Sequence, residues 1–151
     1  AVFGAEQEMS WRMYMSNESG RVLPEVTAES RAFWTGGFEG ELRITRCQSC
    51  RGWIHPPVGA CWRCRSLDVA PEVASGKGKV AAFTINHHPW LPAFPPPYVI
   101  AAVELDDSPD VRLTTCLVDV DVNAVDVGMA VEVVFDEQDD VAIPFFRPVT
   151  A

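Results

Sequence analysis

Positive charge is scarce in this chain: 12 lysines and arginines stand against 21 acidic residues, a formal net charge of −9. That balance argues against a nucleic-acid-binding module, because carboxylates repel a phosphate backbone. Long apolar runs are missing too. None approaches the roughly 18 residues of a membrane span, so no membrane association is expected. No charged start followed by an apolar stretch marks a secretory signal, and reduced thiols in a cytoplasmic setting are the expectation. Internal repeats are absent, and Gly76-Lys77-Gly78-Lys79 lacks the spacing and terminal Ser/Thr of a P-loop. The first residue is alanine, which fits a processed chain or a domain cut from a longer protein.

What is present points to β structure. Hydrophobic residues make up 48% of the 151 residues, and the 12 prolines and 10 glycines fall mostly between short apolar runs. A chain of this length buries about two thirds of its unfolded surface, enough for one core and a small metal-stapled lobe.

Four of the cysteines form two close pairs, Cys47-Gln48-Ser49-Cys50 and Cys61-Trp62-Arg63-Cys64, ten residues apart. Each pair places two thiolates on one tight turn, and two facing turns supply four soft ligands at tetrahedral corners, the arrangement of a structural zinc site. A full shell leaves no position for water or substrate, so the metal holds structure. Iron in a rubredoxin-like site uses the same ligands. Two disulfides need an oxidising compartment, and a thioredoxin-like motif leaves the second pair unexplained.

Along the chain, residues 1–27 carry no clear period and read as a linker or docking arm. Thr27 is placed to cap a short helix over about 28–35, with Phe33, Trp34 and Phe38 as its apolar face. Glu41–Arg46 alternates with period two and runs into Cys47. Pro56-Pro57 suits a rigid return, and Leu67–Val73 reads as a further strand. A helix and zinc ribbon are thus expected over 28–74. From 75 to 151 come five runs rich in Val, Ile, Phe and Thr: Lys79–Asn86, Tyr98–Leu105, Val111–Asp119, Ala130–Phe135 and Val141–Phe145. Five short antiparallel strands favour an OB-type barrel over a sandwich. The fold class is mainly β: an N-terminal helix and four-cysteine zinc ribbon, then a five-stranded OB-fold barrel.

Charge divides unevenly between the two parts. Seven of the twelve bases (Arg43, Arg46, Arg51, Arg63, Arg65, Lys77, Lys79) lie between 43 and 79 with two acids, whereas 104–140 holds twelve acids and one base. A basic lobe on an acidic body suits an anion such as a phosphate group, although charge alone favours a solvated ribbon surface.

Candidate residues for catalysis are few. His87-His88, as strand neighbours, point to opposite faces and cannot serve one centre. Cys116 reads as a small core residue. Glu104 has no assigned proton-transfer role. The loop Pro89–Pro97 presents Trp90, Leu91 and Phe94 on a proline-stiffened frame, next to Tyr98, and suits packing on the barrel, a partner or an acyl channel. Lys77 and Lys79 read as a glycine-rich turn able to meet a phosphate through backbone N–H groups and ammonium charge.

Several pieces match one pattern in order: Phe33-Trp34-x-Gly, the two cysteine pairs with Pro56-Pro57 before the second, Ser75–Val80, Pro97–Leu105, Val127–Val133 and Pro144–Pro148. Over residues 28–149 the chain resembles the DUF35 family of zinc-ribbon plus OB-fold acyl-CoA-associated proteins. The resemblance implies an accessory partner of a thiolase-fold enzyme acting on CoA thioesters. It further implies a domain similar to one fused behind a hotdog-fold enoyl-CoA hydratase in steroid side-chain degradation. There a thiolase-like aldolase cleaves a β-hydroxyacyl-CoA to a 17-ketosteroid and propionyl-CoA. Placed beside the residues, this setting makes Lys77, Lys79, Arg63 and Arg65 the candidates for CoA contact, Trp90, Leu91, Phe94, Tyr98, His87 and His88 those for partner or acyl-channel contact, and zinc the structural ion. The chain departs from the family at Arg51 and Arg65, where relatives carry glycine with positive φ, and at Val58, where relatives often carry a base. An electron-transfer protein with iron, a general acyl-CoA or protein scaffold, and a nucleic-acid module are the rival readings.

Overall fold

A computed structural model describes residues 22–92 and 94–149. Most of the arm read over 1–27 lies outside the described residues. Its last part has no regular secondary structure, and Leu23 and Val26 pack on a barrel-side cluster with Val118, Ile143 and Phe145.

The helix α1 (Arg31–Thr35) begins three residues later than expected. The Thr27 N–H donates to Ser30 Oγ at 3.0 Å and the Ser30 N–H donates back to Thr27 Oγ1 at 3.2 Å, fastening residues 28–30 as a turn ahead of it. A 3₁₀ turn over Gly36–Glu39 continues from α1. The α-helix ends at the glycine pair, which also allows close packing. A Cβ on Gly37 would run into the Phe135 ring and Ala142. Phe33 is buried, whereas Phe38 stays exposed.

Three antiparallel strands form the ribbon sheet in the order β2-β1-β3: β1 (Leu42–Cys47), β2 (Trp53–Ile54) and β3 (Val69–Ala74). Period-two alternation sends Leu42 and Ile44 inward. Two prolines follow β2 and hold it to a two-residue edge ladder against Thr45 and Arg46. β3 begins later than expected, at Val69, leaving Leu67 exposed.

The second sheet closes as a barrel in the order β4-β5-β6-β8-β7, from β4 (Lys77–Asn86), β5 (Tyr98–Leu105), β6 (Ser108–Leu117), β7 (Ala130–Gln138) and β8 (Val141–Pro148). Neighbours are antiparallel except β6 and β8, which share one parallel pair, Leu117↔Phe146. Inward residues Val80, Val99, Val103, Val131 and Phe146 fill it. One continuous cluster joins these to Leu42, Ile44, Trp53 and Phe33, so ribbon and barrel share a core. Among the described residues no helix is long and apolar enough to cross a membrane.

Candidate metal centre and docking faces

β1 delivers Cys47 to the first turn, and the two turns close with matching hydrogen bonds. The Arg51 N–H donates to the Cys47 carbonyl at 3.1 Å and the Arg65 N–H to the Cys61 carbonyl at 2.9 Å. Both arginines adopt the left-handed conformation, with φ of 61° and 62°. The fold thus imposes the strained backbone even where glycine is missing.

The four cysteine sulfurs lie within 4.8 Å of one another, with Cys47–Cys64 and Cys50–Cys61 each at 3.6 Å. Four sulfurs around zinc at about 2.3 Å have tetrahedral edges of about 3.8 Å, so the donor set fits one metal ion. Cys47 and Cys61 are buried and Cys64 is exposed. The Cys50 N–H, 3.4 Å from Cys47 Sγ, brings the Cys47 thiol down to about 6. The Cys64 N–H lowers Cys61 in the same way. For Cys64 the Ser66 N–H favours the thiolate, but burial and the neighbouring sulfurs outweigh it and push the thiol up to about 11.

The basic residues do not converge on one anion cradle. Arg63 pairs with Asp110 of β6 at 2.6 Å, tying ribbon to barrel. Arg51 pairs with Glu72 at 2.8 Å, and Arg65 is exposed without an ion pair among the described residues. Lys77 and Lys79 lie on β4, not in a turn, because Lys77 and Lys79 pair with Glu132 and Ala130 of β7. Their side chains share one exposed face, while the Lys77 N–H is taken by Ser75 Oγ. The backbone part of the expected phosphate contact is therefore corrected.

His87 and His88 lie beyond β4 rather than on a strand, and both are exposed. Asn86 causes the break. Its amide nitrogen donates to the His88 carbonyl at 2.6 Å, and its oxygen accepts from Trp90 Nε1 at 2.9 Å. His88 and Trp90 rings stack edge-on at 4.3 Å. Trp90 and Leu91 are 69% and 56% exposed, whereas Phe94 turns back towards Tyr98 and the barrel. The loop thus splits into an outward apolar pair and an inward anchor. Cys116 is not in the barrel core; it lies half-buried on the outer face of β6. Glu104 pairs with Arg112 at 3.3 Å. Sequence reasoning missed Asn86, the exposed Trp62 and Leu67 of the ribbon, and His55, none of which carries a local motif.

Residues 34–70 match the ChsH2 rubredoxin-like zinc ribbon domain, and residues 72–136 match the ChsH2 C-terminal OB-fold domain. The chain belongs to the ChsH2/DUF35 family. A solved chain of the Ltp2-ChsH2(DUF35) aldolase is 34% identical with a TM-score of 0.76, covering 85% of this chain and 100% of that one. The 3-oxo-4,17-pregnadiene-20-carboxyl-CoA hydratase alpha subunit of Mycobacterium tuberculosis is 31% identical over 154 residues, 93% of this chain and 49% of that protein. A DUF35 domain-containing scaffold protein of Methanocaldococcus jannaschii is 34% identical over 69% of this chain and 79% of its own length. The chain spans less than half the length of the hydratase-named relatives it matches. Within the ChsH2/DUF35 family the four cysteines belong to the ribbon and the Pro89–Pro97 loop to the barrel.

Proposed function

We propose that this chain is an accessory, non-catalytic subunit of a thiolase-fold retro-aldolase acting on a β-hydroxyacyl-CoA. The setting is degradation of a cholesterol-type steroid side chain, with release of propionyl-CoA. The observation that carries this reading is the likeness to the Ltp2-ChsH2(DUF35) aldolase over the whole of the solved chain. The hydratase-named relatives support an acyl-CoA setting; a hydratase domain fused upstream is a further partner in this proposal. Zinc is the ion assigned to Cys47, Cys50, Cys61 and Cys64, as a structural staple.

In a retro-aldol cleavage the β-hydroxyl loses its proton and the Cα–Cβ bond breaks. The electron pair passes into the thioester enolate, which is then protonated at Cα. The partner enzyme supplies those proton transfers. This chain contributes surface: Trp90 and Leu91, held by Asn86, dock with little ordering cost, with His87 and His88 beside them. Phe94 and Tyr98 brace that loop from within. Lys77, Lys79, Arg63 and Arg65 supply the charge for the CoA phosphates. The complex works in the cytoplasm, and the acidic barrel keeps it off nucleic acid.

The test is cleavage of a steroid β-hydroxyacyl-CoA by the thiolase-like partner, with and without this chain. Activity only with both supports the proposal; a partner fully active alone discards it. In that case a general acyl-CoA or protein scaffold remains, the reading favoured by the similarity to the DUF35 scaffold protein.

A further inference from the structure

An open cleft of about 610 Å³ lies where three parts of the chain meet: residues 24–34, the His55-Pro56-Pro57 return, and the β6–β8 side of the barrel. The barrel seam creates it. Before the Leu117↔Phe146 pair, Thr115 Oγ1 donates to the Pro144 carbonyl at 3.0 Å. In a strand the N–H and C=O of one residue face the same side, so the missing N–H of Pro144 would have faced β6. The strands part there, and residues 113–116 and 143–146 line the cleft.

The lining is apolar and stiff. Phe33, Trp34, Ile100 and Leu113 contribute surface, and Pro24 and Pro57 restrict the walls. Among the described residues no lysine or arginine lines it, and Glu25 is the one carboxylate. Those residues offer a phosphate or carboxylate no counter-charge, so the described lining suits an uncharged group. Within the cleft lies His55, its ring 5.0 Å from Phe33 and its Nδ1 buried with no hydrogen-bond partner among the described residues. Burial brings its pKa down to about 4, so the ring is neutral, with one nitrogen donating and one accepting. A volume of this size lies within the range of about 300–1,000 Å³ seen for small-molecule sites.

We infer that this cleft binds an uncharged, largely apolar group carrying a hydroxyl or carbonyl oxygen that pairs with His55. Nδ1 is sealed from the cleft, so Nε2 makes the pairing: it accepts from a hydroxyl when bare and donates to a carbonyl when it carries the proton. The inference rests on the proposed function only for the source of that group, the ring or chain end of an acyl moiety.

The test uses the metal-loaded full chain, labelled with ¹⁵N, and two probes: androst-4-ene-3,17-dione and 1-decanol. Saturable shifts confined to the amides of residues 113–116, 143, 145 and 146 are expected with one of them, and which one separates a ring system from a linear chain. Thr114→Trp, on the exposed face of β6, fills the cleft without entering the core and should weaken binding about tenfold or more. His55→Phe keeps bulk and should weaken it about three- to tenfold. In the unmodified chain the hydrocarbon analogue of the bound probe, lacking oxygen, should bind more weakly by a similar factor. That comparison holds even where His55→Phe fails to fold. Absence of binding by both probes overturns the inference, as does affinity indifferent to Thr114→Trp and to loss of the probe's oxygen. No thiolase-fold enzyme takes part in the assay. A chain that activates the aldolase yet binds neither probe removes the cleft site alone, and one that binds without activating removes the subunit reading alone.

Discussion

Arg65→Gly should tighten metal binding, although it deletes a side chain from the ribbon. Arg65 holds φ at 62° because its N–H must reach the Cys61 carbonyl at 2.9 Å while the Cys61 N–H reaches Ser66 at 2.8 Å. The left-handed conformation costs an L-residue about 1–2 kcal/mol, a cost glycine escapes. Glycine's freer unfolded chain returns about 0.4–1 kcal/mol of that gain. The net expectation is about 0.5–1 kcal/mol in favour of the folded ribbon, or roughly two- to fivefold in zinc dissociation constant, since metal binding and ribbon folding are linked. Arg51 provides the control. It has the same strain at φ 61°, but its guanidinium holds Glu72, which also accepts from Gln48 and Arg46. Arg51→Gly loses that pairing and should gain less. Competition against a chromophoric chelator at neutral pH measures both. Weaker zinc binding in Arg65→Gly, or a larger gain in Arg51→Gly, would refute the strain argument.

Cys47→Ser should unfold the ribbon, and unchanged zinc content and melting temperature in that variant would contradict a metal staple. Ribbon stability should also fall with acidity. In the metal-free chain the Cys47 thiol sits at about 6 instead of the ordinary 9.0, so its contribution to ribbon stability is complete above pH 9, declines as pH falls and is gone below about 6. A denaturant series on the metal-free chain should show that decline. His55, at about 4 instead of 6.5, takes up its proton more readily when the chain unfolds, so stability drops as pH falls from 6.5 towards 4. His55→Phe should flatten that limb of a pH–denaturation profile, and an unchanged slope would show the ring to be exposed. Gly37→Ala drives a methyl into Phe135 and Ala142 and should cost about 1–3 kcal/mol by denaturant melting. A neutral result would mean that the 3₁₀ turn does not seat on the barrel.

The sequence alone determined the elements whose chemistry is local. Cysteine spacing predicts two facing turns with four converging sulfurs, because a C-x₂-C pair closes its own turn. Period-two alternation predicts the ribbon strand, and runs rich in Val, Ile, Phe and Thr between turn segments predict the five barrel strands, because both signals are carried within each strand. Other features depend on contacts between distant segments. Lys77 reads as a turn residue from its glycine neighbours, yet pairing with Glu132 makes it strand. His87 and His88 read as strand residues, yet Asn86 pulls the chain into a loop through Trp90. Trp90 and Phe94 look alike in sequence, and only the barrel surface decides that one faces outward and the other inward. The cleft over the β6–β8 seam is the extreme case. Its walls come from residues 24 to 146, and it opens where the neighbouring strands β6 and β8 keep a single ladder pair beside Pro144, which has no N–H to donate.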